Sequence, residues 1–309
     1  MLRALLAVIA IALACWVNFA MVPHGTPPAI EDYEVTYQLG HLVPAPVLGA
    51  DHETPLFAPT LGFLPGFLDM DPATDGVQLV LTNMQVFMFL SVVLIFILLG
   101  GVASYVRTGK GDPLSKIFAG FCMFIRDEMV YPVMGEQTGR TFLPYFLGLF
   151  FFLIFMNLAG LTPFSATPTG VLATTAAMAV TTLILMVVGG MVVQGPLNYL
   201  KHLVPEVPWW IWPLMFVVEI IGVIAKPFAL MVRLFANISG GHMVVLSFIG
   251  LIFLAAGQAG SGVAYGASPF AVGFGVFIMI IEAFVAMLQA YVFTYLSIMF
   301  IGGSLHPDH

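Results

Sequence analysis

Five ionisable residues stand inside two long apolar stretches near the C-terminus: Glu219, Lys226, Arg233, His242 and Glu282, with Asn237 and Gln289 as polar companions. A charged side chain at the bilayer centre costs about 2.5–3.5 kcal/mol on insertion scales, so each such group marks an ion pathway and needs a partner. Their spacing is informative. Glu219, Lys226 and Arg233 are seven apart, which stacks them on one helix face with about 20° of drift per step. Asn237 follows Arg233 at i+4 and shares that face. His242 comes nine residues after Arg233, about half a turn round the helix. Glu282 and Gln289 are again seven apart. If the two stretches pair antiparallel, Gln289 can lie near Arg233 and Glu282 near His242, giving two polar tracks with an arginine between them.

Each residue also has a structural alternative at this level. Arg233 could be a counter-ion for Glu219 or Glu282, His242 a satisfied packing histidine, and Glu282 a protonated, hydrogen-bonded carboxyl. Lys226, which precedes Pro227, could snorkel to the interface or pair with Glu219. Glycines 189, 190, 240 and 241 read as points where helices approach closely. The confinement of the ionisable set weighs against a purely structural account, because residues 141–200 contain no charge at all.

The elements that carry these residues belong to a membrane protein. Hydrophobic residues make up 60% of the 309 and charged residues 8%, with a mean hydropathy of +1.03. Water-soluble domains carry about a quarter charged residues. Formal charge is −7 and is unevenly spread: Glu31, Asp32, Glu34, Asp51, Glu53, Asp69, Asp71 and Asp75 all precede the first long span. No Lys or Arg lies between Arg3 and Arg107, as expected of a translocated segment under the positive-inside rule. Residues 1–20 read as a signal peptide or an uncleaved anchor, and residues 21–80 as an acidic, Pro-rich extracytoplasmic arm. No basic patch suits nucleic acid. Two cysteines, Cys15 and Cys122, make no metal framework, and no metal or cofactor is expected. Gly109-Lys110 lacks the rest of a P-loop.

Residues 84–106, 142–161 and 171–193 are long enough to span. Residues 113–134 start at Pro113 and place Ile117, Phe118, Phe121, Phe124 and Ile125 at helical spacing, an amphipathic pattern suited to a cytoplasmic interfacial helix. Residues 214–256 would form a helix of about 64 Å, and 270–301 one of about 48 Å, at 1.5 Å per residue. The hydrocarbon core is about 30 Å thick. A strongly tilted helical hairpin is expected, its base-free turn at 257–267 outside and Ser268-Pro269 starting the second arm. The fold class is all-α and polytopic: about five membrane helices and an interfacial helix, with residues 303–309 as a cytoplasmic tail.

The motifs then resemble a known family. Lys226, Pro227, Arg233, Leu234 and Asn237 form a K-P-x5-R-L-x-x-N core between Glu219 and His242; Asn157, Gly160, Leu161 and Pro163 form a second motif; Glu282 and Gln289 form a distal E-x6-Q. Together they resemble subunit a of the F-type rotary ATP synthase membrane sector, in order and spacing from about residue 84 to 301. The resemblance implies that Arg233 is similar to the family's essential arginine, facing a carboxylate on a ring of c subunits. It implies that His242 and Glu282 line the half-channel from outside, that Glu219 belongs to the path to the cytoplasm, and that Asn237 and Gln289 flank the arginine. Many bacterial members place a carboxylate where His242 stands and a histidine where Glu282 stands; this chain has the mitochondria-like arrangement. Lys226, Pro227, Asn157 and Pro163 are implied to be structural.

The implied partners are the c-ring, b-type stator subunits, the rest of the ATP synthase and the lipid bilayer. The implied location is a bacterial inner membrane, multi-pass, with the C-terminus cytoplasmic. Such a subunit is no enzyme by itself; it translocates protons so that ring rotation couples to ATP chemistry elsewhere in the complex. A secondary transporter or autonomous ion channel is the competing reading, and it would show inverted repeats or broken helices. An intramembrane protease would need H-E-x-x-H or G-x-S-x-G, and neither occurs.

Overall fold

The computed structural model describes residues 2–21, 60–61, 77–78, 82–161, 167–204, 207–259 and 261–305. Apart from one short antiparallel bridge, in which Thr60 pairs with Gln78 and Leu61 with Val77, these residues are helical or lie in turns between helices. Five helices are long and apolar enough to cross a membrane: Asn83–Thr108, Pro113–Gly160, Leu172–Gln194, Trp212–Val245 and Ser268–Leu305. The protein is an all-α polytopic membrane protein. Most of the acidic arm expected at 21–80 lies outside the described residues.

The chain forms two compact units. The first comprises Met1–Ile97, Met156–Pro168 and Gly241–Ile281. Its N-terminal helix α1, Leu2–Met21, buries Ala7 and Ala14, seven apart on one face. Helix α2, Asn83–Leu99, buries Met84, Phe87, Leu90, Ser91 and Leu94, a stripe at spacings of three and four. The Ser91 hydroxyl donates to the Phe87 carbonyl at 2.9 Å, so this polar side chain is satisfied on its own helix.

The second unit comprises Leu98–Phe155, Thr169–Gly240 and Glu282–His309. Here the first span is interrupted at Gly100-Gly101 and resumes as α3, Val102–Thr108, which ends at Gly109 in the left-handed conformation (φ 67°). Asp112, extended, precedes α4, Pro113–Phe124, with Pro113 at its first position, where a missing N–H costs nothing. A π-helical turn, Ile125–Val130, joins α4 to α5, Tyr131–Gly160. Its extra residue re-aims the helix so that Ile125, Met129 and Val130 are buried while Arg126 and Asp127 pair outside at 2.7 Å. The apolar stripe read from the sequence therefore divides. Phe118 packs edge-on against Phe151 at 5.7 Å and Ile125 is buried, whereas Ile117, Phe121 and Phe124 remain exposed. Gly135, with φ 71° and ψ 167°, breaks α5 four residues after it begins. Only glycine adopts that conformation without strain.

Helix α6, Leu172–Gln194, buries Thr175, Ala179, Thr182, Met186 and Gly190 on one face. That face meets α9, Ser261–Leu305: Thr182 Oγ1 lies 3.3 Å from Ser297 Oγ, and Gln194 Nε2 donates to the Ser304 carbonyl at 2.7 Å. These pairs advance together along both helices, so α6 and α9 run in the same direction. After α7, Pro196–His202, a turn with Trp209 and Trp210 exposed leads into helix α8, Trp212–Ala259, whose Trp212 is also exposed, an aromatic belt of the kind found at a membrane interface.

Gly190 is the tightest point of this packing. A Cβ there would sit 2.5 Å from both Ser304 Oγ and a Tyr199 ring carbon. Gly190→Ala is expected to destabilise the chain by about 1–3 kcal/mol and to lower its level in membranes several-fold. The matched Gly148→Ala, which meets nothing within 4 Å, should leave that level unchanged on an immunoblot. Equal levels of the two variants would refute the close contact. A Cβ at Gly240 would likewise meet nothing within 4 Å among the described residues.

The turn expected at 257–267 is a correction. Helix α8 continues to Ala259 and α9 begins at Ser261, so Ser268-Pro269 lies inside a helix instead of starting one. A proline removes one intrahelical hydrogen bond but does not by itself forbid the preceding turns. The second arm also runs past residue 301 to Leu305.

Candidate functional site in the membrane helices

Helices α8 and α9 hold all the ionisable residues singled out above, and within the second unit their pairing can be read directly. Asn237 Nδ2 donates to Gln289 Oε1 at 2.9 Å, and the Lys226 ammonium lies 5.9 Å from the Phe300 ring centroid. Both pairs sum to the same residue total, the mark of antiparallel neighbours in constant register. That register sets Arg233 level with Phe293, one turn from Gln289. The heptad spacing of the sequence thus delivers a defined polar contact, Asn237 to Gln289, beside the arginine.

The burial pattern distinguishes the two arms. Gln289 is 3% exposed and Glu282 5% exposed, on the same buried stripe of α9 as Ala286, Ala290 and Phe293. The stripe continues through Thr294, Ser297 and Ile298. Gln289 spends its carbonyl oxygen on Asn237, and its buried Nε2 finds no acceptor among the described residues. Arg233 and Asn237, by contrast, stand on an exposed face of α8. The same face carries Ala225, Lys226, Ala229, Ala236 and Gly240, all exposed. Apart from Lys226 and Asn237, the helix surface around the guanidinium is therefore alanine and glycine, which lets a second backbone come close.

Arg126 pairs with Asp127 and Arg140 with Glu136, whereas Arg233, Glu219 and Lys226 form no ion pair with any described residue. The counter-ion account of Arg233 therefore finds no acid partner within the described chain. Glu219 is half-buried, two heptads before Arg233 on the same helix, and Pro227 is buried within that helix. Pairing of Lys226 with Glu219, one of its two expected roles, does not occur; the ammonium lies over an aromatic ring instead, where the π face attracts it.

His242 belongs to the first unit. Half-buried, it places Nε2 2.7 Å from the hydroxyl of Thr167. Thr167 is 5% exposed and leads into a 3-10 turn, Pro168–Gly170. Asn157 is buried near the end of α5, at 2% exposure; Pro163 lies outside the described residues. Sequence reasoning missed Thr167. A threonine in an uncharged turn carries no periodicity or charge signal, and only the folding of a residue 75 positions away against it reveals a role.

The comparisons with known proteins bear on the same stretch. The family model described as ATP synthase A chain matches residues 85–302. The chain is similar to ATP synthase subunit a of Myxococcus xanthus, 44% identical over 192 residues, covering 60% of this chain and 61% of the relative. It is 40% identical over 248 residues to ATP synthase subunit a of Anaeromyxobacter dehalogenans, covering 79% of this chain and 61% of the relative. With ATP synthase subunit a of Chloroherpeton thalassium it is 35% identical over 238 residues, covering 76% and 69%. The chain thus spans about three-fifths of the length of the first two of these relatives. With seven-tenths of its residues matched, from the first membrane helix to the last, the chain belongs to the ATP synthase A chain family.

Proposed function

We propose that this chain is the proton-translocating stator subunit a of an F-type ATP synthase. In this reading it works beside a ring of c subunits, is held by b-type stator subunits, and sits in a bacterial inner membrane with its C-terminus cytoplasmic. The observation that carries the reading is the setting of Arg233: a permanent cation on an uncovered face of a membrane helix, without an acid partner among the described residues, amid alanines and a glycine. Facing lipid, such a group is expensive. Facing a carboxylate on a neighbouring polypeptide, it is matched.

The mechanism follows from charge. A ring carboxyl must be neutral while it faces lipid. Opposite Arg233 its ionised form is favoured, so it releases its proton there. Arginine keeps its own proton at any accessible pH, so it relays nothing between the two half-channels and blocks a leak. His242 and Glu282 serve the half-channel from outside, and Glu219 the path to the cytoplasm. The unmatched amide of Gln289 is suited to hold water or the ring carboxylate beside the arginine. A membrane potential supplies about 2.3 kcal/mol per charge per 100 mV, which biases rotation and couples it to ATP synthesis or hydrolysis by the soluble sector.

Purification from native membranes in mild detergent tests this assignment. Recovery with a ring of small hairpin proteins and a soluble ATPase is expected. A homo-oligomer free of both would favour the autonomous channel and overturn the proposal.

A further inference from the structure

We propose that Thr167, clamped by Gly160, is the residue that positions the His242 imidazole for proton transfer; this rests on the reading of His242 as a proton carrier. Three observations within one compact unit combine. His242 Nε2 and Thr167 Oγ1 are 2.7 Å apart, a full hydrogen bond across 75 residues of sequence. Thr167 is 5% exposed, so its hydroxyl has little access to bulk water. Its side chain is pressed onto the bare backbone of Gly160: a Cβ at that glycine would stand 2.6 Å from Thr167 Oγ1, 2.7 Å from Cγ2 and 3.0 Å from Cβ. All the side-chain heavy atoms of Thr167 thus lie against one glycine. A β-branched side chain is already stiff about χ1, and the contact removes one direction in which it could turn. The hydroxyl is aimed, and what it is aimed at is the imidazole.

A hydroxyl suits a ring that gains and loses a proton. It can donate to Nε2 when that nitrogen is bare and accept from it when it carries hydrogen. A carbonyl or carboxylate in its place would accept only, and would hold one tautomer. Thr167 can therefore stay bonded to Nε2 of His242 in both charge states, keeping the ring plane fixed while Nδ1 exchanges the proton. Gly160, which the sequence presents only as a small residue in a motif, acquires a definite role, since any side chain there displaces the threonine.

The test uses the assembled ATP synthase in inverted membrane vesicles, with rates normalised to the amount of complex detected by immunoblot. Thr167→Val keeps the shape that packs on Gly160 and removes the hydrogen bond; it is expected to slow ATP-driven proton pumping about tenfold. Thr167→Ser, which keeps the hydroxyl, should retain at least about half the wild-type rate. Gly160→Ala should slow pumping like the valine variant. Adding Thr167→Val to His242→Ala should slow it no further, since the hydroxyl acts only through the ring. Wild-type pumping by Thr167→Val, or a serine variant as slow as the valine one, would overturn the proposal. His242→Ala separates the two layers. If it pumps normally, the reading of His242 fails and this inference fails with it; if it is slow while Thr167→Val is normal, only the role of Thr167 is lost.

Discussion

Arg233→Ala is expected to abolish ATP-driven proton pumping, by at least about 100-fold, while the complex remains assembled. The substitution removes an exposed side chain from the small-residue face of α8, so the packing of the chain loses nothing. In the proposed mechanism it removes the fixed charge that makes an ionised ring carboxylate tolerable at lipid depth. Without it the carboxyl keeps its proton through the interface and no step is driven. Arg233→Lys should fail nearly as badly. A desolvated ammonium can lose its proton, which would both weaken the hold on the carboxylate and open a leak between the half-channels. Quenching of a pH-sensitive dye in inverted vesicles measures pumping, and ATPase activity retained on washed membranes measures assembly. Near-normal quenching by the alanine variant would remove the central assignment.

The second large effect is expected at Glu282. Glu282→Gln keeps the size of a side chain that is only 5% exposed on the buried stripe of α9, but it cannot take up or release a proton. Transport should slow about 10–100-fold, the usual range for loss of a positioned acid–base group, with assembly intact. Glu282→Asp, which keeps the carboxyl on a shorter stem, should lose less. The expected order is wild type, then Asp, then Gln. Should the glutamine variant pump at the wild-type rate, Glu282 would be a neutral hydrogen-bonded carboxyl that serves packing alone.

Several structural details were within reach of the sequence because they depend on neighbouring residues. The proline after Asp112 marks the start of α4, and uncharged apolar length marks α2 and α6 as spans. Other details were not. Ser268-Pro269 has the form of a helix start, yet the apolar, Gly- and Ala-rich residues before it continue the helix back to Ser261. The conflict is between a local proline signal and helical hydrogen bonds that form wherever nothing forbids them. The division of the 113–125 stripe likewise depends on a π-helical turn. One inserted residue rotates everything beyond it by about 100°, and no residue type announces it.

Composition and spacing alone determined that this chain lives in a bilayer, that it is helical, and that the ionisable residues within its long apolar stretches gather in the last two arms. The reason is that transfer free energy and the 3.6-residue period are properties of each segment taken by itself. Only the tertiary structure decided which face of α8 is left uncovered around Arg233, that Asn237 donates to Gln289, and that Thr167 reaches His242. Those outcomes depend on the rotation and register of helices packed against one another. A fraction of a turn, invisible in a row of letters, separates an arginine left uncovered from one buried against its own chain.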